Sequence, residues 1–415
     1  MTHTLSHRRD IALLFSTRIV RLFAYGFLSV VLVLYLVQVG LSEAQVGLLL
    51  SLTLAGDALV SLWLTTNADR IGRKRMLIIG AVLVIFAGAV FLLTNNVVLL
   101  IAAAIIGVIS PTGNEIGPFL PIEQAALSQL LPDNRRTQLF AWYNLAGSVA
   151  TACGALISGW LAQTLQAGGM LTLDAYRIVL TLYAASGGVL IALFALLEPV
   201  IEATPLTQPT TNRFGLSPQS RGIVARLSGL FALDAFAGAF VAQTLIAYWF
   251  NLKFGVATGT IGAIFFGANI LAGLSALSAA GLARRFGLIN TMVFTHLPSN
   301  VLLMLVPLMP TLPLASVVLL LRFSISQMDV PTRQSYTAAV VRPEERSAAA
   351  GITGIARSVG SALSPSLTGI FLSNPSLLSM PFFLAGGLKV VYDLLLYRSF
   401  KATKPPEENT KAKPA

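Results

Sequence analysis

Long apolar runs separated by short polar breaks recur along the whole chain. They predict twelve helices, near 11–38, 45–67, 76–94, 98–127, 138–164, 177–197, 222–250, 258–280, 287–309, 312–338, 346–373 and 379–397. Most reach the roughly 20 residues that a helix needs to cross a bilayer. The pattern is that of an all-α polytopic membrane protein, and an even number of spans returns both termini to one side. The longest polar break, from Glu198 to Arg221, is rich in Thr, Pro and Ser and falls between the sixth and seventh runs. It reads as a flexible linker between two six-helix bundles. The predicted layout is an N-terminus at 1–10, a first bundle at 11–197, a linker at 198–221, a second bundle at 222–399 and a disordered tail at 400–415.

The two halves are related in sequence. Leu41-Ser-Glu-Ala-Gln-Val-Gly47 matches Val256-Ala-Thr-Gly-Thr-Ile-Gly262, and the same offset lays Asp69 to Gly72 on Arg284 to Gly287. A slightly smaller offset matches Leu120-Pro-Ile-Glu-Gln124 with Val330-Pro-Thr-Arg-Gln334 and pairs Gly159 with Gly369. Two pseudo-symmetric parallel repeats with a site between them are the architecture of an alternating-access carrier.

Composition agrees with a life in lipid: 55% of the residues are apolar, 11% are charged and mean hydropathy is +0.77. The net charge of +11 does not point to nucleic acid, because the cations fall in short loops rather than on one amphipathic face. It reports topology instead. Most Lys and Arg lie in the termini or in loops assigned to the cytoplasm, and only Arg177 and Lys253 in loops assigned outside. The first apolar run has no small-residue cleavage site and is too long for a signal peptide, so it is expected to stay as a first helix. The lone cysteine, Cys153, sits among small apolar residues and reads as a buried thiol with no partner for a disulfide.

The densest cationic turn, Asn67-Ala-Asp-Arg-Ile-Gly-Arg-Lys-Arg75, joins the second and third runs. It is similar to the signature loop of the major facilitator superfamily, with Asp69, Arg70, Gly72, Arg73 and Lys74 on the matching positions and Thr65 where a Gly is usual. The twelve-helix, two-repeat layout extends the resemblance over the whole chain, as in bacterial members of the family. The resemblance implies a transporter rather than an enzyme, in the plasma (inner) membrane with both termini cytoplasmic, in which this loop is a latch that controls conformational switching. The proton-antiporter branch carries a Gly-rich signature in helix 5. Gly147, Gly154, Ser158 and Gly159 match it, Ala155 replaces its proline, and a similar run, Gly360, Ser364, Pro365 and Gly369, stands in helix 11. Close helix packing is the alternative reading of these glycines.

Ionisable groups deep in the spans are costly, so each needs a partner or an aqueous cavity. Arg18 and Arg21 lie in helix 1, Asp57 in helix 2, Glu115 and Glu123 in helix 4, Asp234 in helix 7, and Arg322, Asp329 and Arg333 in helix 10. The family resemblance implies that helices 1, 4, 7 and 10 line a central cavity. Counting rise from the helix ends puts Arg21, Asp234 and Arg322 near mid-membrane. The expected pairs are Arg21 with Glu115 and Asp234 with Arg322, either to be opened by substrate or protons or as fixed packing pairs. Glu123 and Arg333 occupy equivalent repeat positions with opposite signs, which suggests an intracellular gate; the alternative is that each supports its own half's signature loop. Lys389 and Asp393, one turn apart in helix 12, are expected to satisfy each other.

Helix 4 holds three prolines and two glycines in Ser110-Pro-Thr-Gly-Asn-Glu-Ile-Gly-Pro-Phe-Leu-Pro121. It should kink or open there and turn Asn114 and Glu115 toward the cavity. Glu115 is the first candidate for proton coupling, followed by Asp57 and Asp234. The candidate cavity residues are Arg21, Tyr25, Asn114, Glu115, Asp234, Arg322 and Asp329, with Phe23, Phe236 and Phe240 able to meet an aromatic or amphiphilic molecule. Asp69, Arg70, Gly72, Arg73, Lys74, Glu123 and Arg333 form the candidate switch.

No Gly-Lys dipeptide is present to build a phosphate-cradling loop, so ATP is not the energy source. Three scattered histidines, His3, His7 and His296, offer no metal site. The leading expectation is a monomeric secondary transporter that needs no cofactor, driven by the proton gradient and exporting a small organic compound. Proton-symport uptake and exchange of organic anions on Arg21 and Arg322 are the alternatives within transport. A non-transporting receptor or scaffold is the alternative of another class.

Overall fold

The computed structural model describes residues 2–113, 117–130, 133–202, 216–342 and 345–402. The middle of the expected linker, 203–215, and most of the expected tail, 403–415, lie outside them, as do Asn114 and Glu115. The described chain is helical, with no strand among the described residues. The helices of the first half are α1 (Thr2–Gln38), α2 (Glu43–Ile71), α3 (Arg73–Leu93), α4 (Val97–Ile106), α5 (Phe119–Leu130), α6 (Asp133–Ala167) and α7 (Thr172–Ala195). Those of the second are α8 (Pro218–Ala239), α9 (Gln243–Phe254), α10 (Thr258–Phe286), α11 (Leu288–Leu305), α12 (Leu312–Ser326), α13 (Asp329–Ala339), α14 (Arg346–Leu372) and α15 (Met380–Phe400). Ten helical stretches of the described residues are long and apolar enough to cross a membrane, α8 with α9 and α12 with α13 each forming one of them.

Three of the expected continuous helices are broken. The fourth run stops at Ile106 and resumes at Phe119, as its prolines and glycines predict. The seventh and tenth runs are interrupted at 240–242 and 327–328; no proline stands near the first, whereas Pro331 follows the second, and in a continuous helix its ring would clash with the Gln327 carbonyl. At the first of these, the Thr244 N–H donates to the Pro111 carbonyl at 3.3 Å and the Gln243 amide donates to Ser29 Oγ at 2.7 Å. At the second, the Gln327 N–H donates to Ser275 Oγ at 3.3 Å. Tertiary partners thus supply the bonds that a continuous helix would have made.

The chain forms two compact units. The first comprises Met1–Pro205 with Ala242–Ile270 and Pro365–Pro375; the second comprises Leu206–Val241, Leu271–Ser364 and Ser376–Ala415. In the first, α1 packs along α6 and α7, and α3 along α7. Segments from the second half of the sequence complete this unit through paired glycines. Gly159 of α6 faces Gly262 of α10, and Gly47 of α2 faces Gly369 of α14, with a Cβ built on Gly47 or Gly159 lying 2.9 or 3.0 Å from the partner's Cα. Only a residue without a side chain allows backbones this close. In the second unit α11 packs on α15, α12 and α13, and α15 packs on α8. Its core is built from Leu227, Phe231, Met292, Tyr336, Tyr392 and Leu396.

Candidate functional site

The second unit gathers its buried charge around one carboxylate. Asp234 of α8 accepts a hydrogen bond from Lys389 Nζ of α15 at 2.5 Å through Oδ1. Its Oδ2 accepts from Arg333 of α13 and Arg357 of α14, each at 3.1 Å. Arg333 also donates to Asp329 Oδ2, one turn away, at 3.0 Å and lies over the ring of Phe231. Four helices therefore meet at one ionised group. Asp234, Asp329, Arg333 and Lys389 are buried, whereas the Arg357 side chain is 35% exposed. Arg322, on the buried face of α12 with Ala315, Leu319 and Ser326, is 8% exposed and stacks against the Phe323 ring at 4.7 Å. Asp234 and Asp329 lie within electrostatic reach of it. It forms no ion pair with Asp234, so the expected Asp234–Arg322 pair is replaced by Asp234 with Lys389, Arg333 and Arg357.

One turn from Lys389 along α15 a second polar group closes on itself. Asp393 of α15 accepts from Asn300 at 2.9 Å and bonds to His296 Nδ1 at 2.9 Å, both on α11. The expected Lys389–Asp393 pair is thus divided between two carboxylates. A separation of one turn permits such a pair, but Asp234 and His296 each present a closer polar atom from a neighbouring helix.

In the first unit, Arg21 of α1 makes a bidentate pair with Glu123 of α5 at 2.8 and 2.7 Å. Both side chains are fully buried. Thr17 donates to Glu123 at 2.8 Å and the Tyr143 hydroxyl donates to its other oxygen. The expected partner, Glu115, lies outside the described residues, and the guanidinium fork is taken by Glu123. Arg18 donates to Asn144 at 3.1 Å and stacks on Tyr143. Tyr25 is buried on α1 one turn beyond Arg21. Glu123 and Arg333, expected to gate together, are each engaged inside their own unit.

Asp57 of α2 accepts from the Gly117 N–H at 3.1 Å, so it caps the end of the helix-4 break. The cationic turn is held as tightly. Gly72 has φ +119°, which L side chains rarely adopt, and a Cβ there would approach the Glu202 carboxylate at 3.4 Å. Glu202 accepts from the N–H groups of Arg73 at 2.5 Å and Lys74 at 3.3 Å, at the start of α3, where a helix favours negative charge. Arg73 pairs with Asp69 at 2.7 Å and donates to Gln129 and to the Ile201 carbonyl. Lys74 donates to the carbonyls of Ala195 and Leu197 that end α7. Arg70 and Arg75 are exposed.

Sequence reasoning did not select Arg357, His296 or the Ser29, Gln243 and Asn269 cluster, in which Asn269 donates to Gln243 at 3.2 Å. For Arg357 a signal was present: Arg357, Ser361, Ser364 and Thr368 recur every three to four residues along α14.

Residues 14–328 match the Major Facilitator Superfamily. The chain is 30% identical over 418 residues to the uncharacterized membrane protein YJR124C of Saccharomyces cerevisiae, covering 94% of this chain and 93% of that protein. A yeast relative gives no support to a bacterial subtype. Among solved structures, the fold is similar to the nucleoside transporter NupG, with TM-score 0.71, 15% identity and coverage of 97% of this chain and 100% of that one. It is equally similar to a D-xylose-proton symporter, with TM-score 0.71, 15% identity and coverage of 94% and 97%. Repeated halves, broken helices and buried charge converge with these likenesses: the chain belongs to the Major Facilitator Superfamily, a family of secondary transporters and not of enzymes.

Proposed function

We propose that the protein carries a small organic compound across the membrane by alternating access, together with a proton, and that Asp234 binds the proton. The observation that carries this reading is the junction of three cations from α13, α14 and α15 on one carboxylate of α8. A carboxylate with fewer cations around it binds a proton more readily. Substrate that draws one cation away therefore favours proton uptake, and by linkage the proton favours substrate binding to the same degree. Ligands that favour each other's binding travel together. The D-xylose-proton symporter shows that this fold supports such coupling, although at 15% identity it lends no substrate.

In this reading the Asp69–Arg75 loop faces the cytoplasm of the plasma membrane, as its cations predict, and both termini lie on that side. Asp69, Arg70, Gly72, Arg73 and Lys74 act as the latch, with Glu202 holding them against the end of α7. Glu123 and Arg333 steady the binding cavity of their own halves. Export in exchange for protons is the second reading, favoured by the Gly-rich stretch of α6 that crosses α10 at Gly159 and Gly262.

Protein reconstituted in one orientation in liposomes separates the two. With a panel of labelled compounds, proton flux in the direction of substrate flux establishes symport, and opposed fluxes establish antiport. Asp234→Asn is expected to lower substrate-driven proton flux at least about tenfold while exchange of substrate at equal concentrations continues. Proton flux that survives the substitution would remove Asp234 from the coupling role.

A further inference from the structure

We infer that the second unit contains a recognition site for an organic anion carrying a carboxylate or phosphate group, with Arg322 as its principal ligand and Arg357 as its second. The inference deepens the proposed function by naming the substrate class, and it rests on that reading's placement of transport at the Asp234 cluster.

The charges do not balance. Arg322, Arg333, Arg357 and Lys389 stand against Asp234, Asp329 and, one turn from Lys389, Asp393, leaving one positive charge in excess. The surplus falls on a particular side chain. Arg333 and Lys389 are held by carboxylates at 2.5 to 3.1 Å, and Arg357 by one. Arg322 has no ion pair or hydrogen bond among the described residues, and its Nε is buried without a partner. A guanidinium is protonated at any pH a cell sustains, so it cannot relieve its burial by losing a proton, as lysine can. Its five donors form a rigid fork that fits the paired oxygens of a carboxylate or phosphate.

Arg357 supplies the entry. It is the most exposed cation of the cluster and donates to Asp234 through one nitrogen, so part of its fork is open. The ring of Phe323, beside Arg322, offers apolar surface for the organic part. The first unit has no comparable surplus at Arg21, whose fork is filled by Glu123. An anion that bridges Arg322 and Arg357 competes with Asp234 for Arg357. The displaced carboxylate takes up the proton, so charge is conserved at the site: one anion and one proton enter together.

The test uses the full chain, purified in a neutral detergent. Thermal unfolding is followed against inorganic phosphate, glycerol 3-phosphate, succinate and benzoate, with sodium chloride at matched ionic strength and glycerol as controls. At least one oxyanion is expected to raise Tm saturably while chloride and glycerol do not. Half-saturation should rise at least about tenfold in Arg322→Gln. Arg322→Lys, which keeps the charge without the fork, should fall between the two and guards against a folding defect in the glutamine variant. An equal response in wild type and Arg322→Gln, or no saturable response to any oxyanion, overturns the site. Nanodiscs of phosphatidylcholine and of phosphatidylglycerol separate the sources of anion. Stabilisation that needs Arg322 and appears only with phosphatidylglycerol would assign the site to a lipid headgroup and overturn it as a substrate site. Proton uptake on binding, read with an indicator dye in weak buffer, is expected to approach one per anion and to vanish in Asp234→Asn. Binding that depends on Arg322 without proton uptake would end the symport reading and leave the anion site standing.

Discussion

Glu123 and Arg333 occupy equivalent places in the two repeats, 210 residues apart with their signs exchanged, and each pairs with an opposite charge on the first helix of its own half, Arg21 and Asp234. The first pair is complete: two parallel bonds, two hydroxyl donors and no solvent exposure. Its value lies in not being broken. Replacing a well-packed buried pair by apolar residues is often neutral, but removing one partner typically costs about 3–5 kcal/mol. Glu123→Ala is therefore expected to lower Tm in detergent by several degrees, and Arg21→Met combined with Glu123→Leu to recover most of it. A single variant as stable as the wild type would show that the pair contributes nothing net. Residue counts along a helix give an expected depth for Arg21 and Asp234. Their partners were not legible, because several carboxylates lie at a similar depth and the choice depends on how each helix is rotated about its axis. Lys389 shows the same limit: its neighbour Asp393 was visible in sequence, whereas Asp234, 155 residues away, was not.

Among the elements, the breaks were legible where backbone chemistry forces them and hidden where tertiary contacts do. Three prolines and two glycines announce the interruption of the fourth run. Pro331, four residues after Gln327, carries the same chemistry for the break in the tenth run, which the apolar pattern alone reads as continuous, whereas Phe240 and Val241 have no such bias and Pro111 and Ser29 offer partners there that a single sequence cannot place. The start of α8 shows how such ends are secured. Glu345, just before α14, accepts from the Ser217 N–H at 2.5 Å and from the Ser220 hydroxyl at the first turn of α8. The Ser220 bond, followed by those from Ser217, holds the carboxyl down at about 2 against an ordinary value of 4.5. A depressed carboxyl contributes stability above its unfolded value and loses it as pH falls toward its folded one. Wild type is thus expected to be more stable than Glu345→Gln by a constant margin above about pH 5, shrinking to nothing near pH 2. Acid titration of tryptophan fluorescence in both proteins measures the margin. A gap independent of pH would mean that the glutamine differs by packing and not by charge.

For the whole molecule, the repeat predicts a symmetry of contacts as well as of sequence. The offsets that relate Gly47 to Gly262 and Gly159 to Gly369 were legible in the chain, and the first unit joins each glycine to the repeat mate of the other. Gly47 lies near the start of α2 and Gly369 near the end of α14, so this crossing stands at the end of α2 opposite the cationic loop. Ser51, one turn further along α2, adds a polar clasp: its hydroxyl lies 2.7 Å from that of Ser366 and accepts the Ser366 N–H at 2.9 Å. A carrier that works by alternating access, as proposed, opens each end once per cycle, so this clasp is expected to break and re-form during transport. The short distance between the hydroxyls makes the claim testable by a disulfide. In a background of Cys153→Ser, which removes the lone native thiol, Ser51→Cys with Ser366→Cys is expected to transport when reduced. Mild oxidation should then arrest transport, and reductant should restore it, while either single cysteine remains indifferent to both treatments. Substrate binding measured in detergent should survive the cross-link, because the anion site proposed at Arg322 and Arg357 belongs to the other unit. Transport at the full rate through a cross-linked protein would mean that this end stays shut throughout the cycle, and the access route would then have to lie elsewhere.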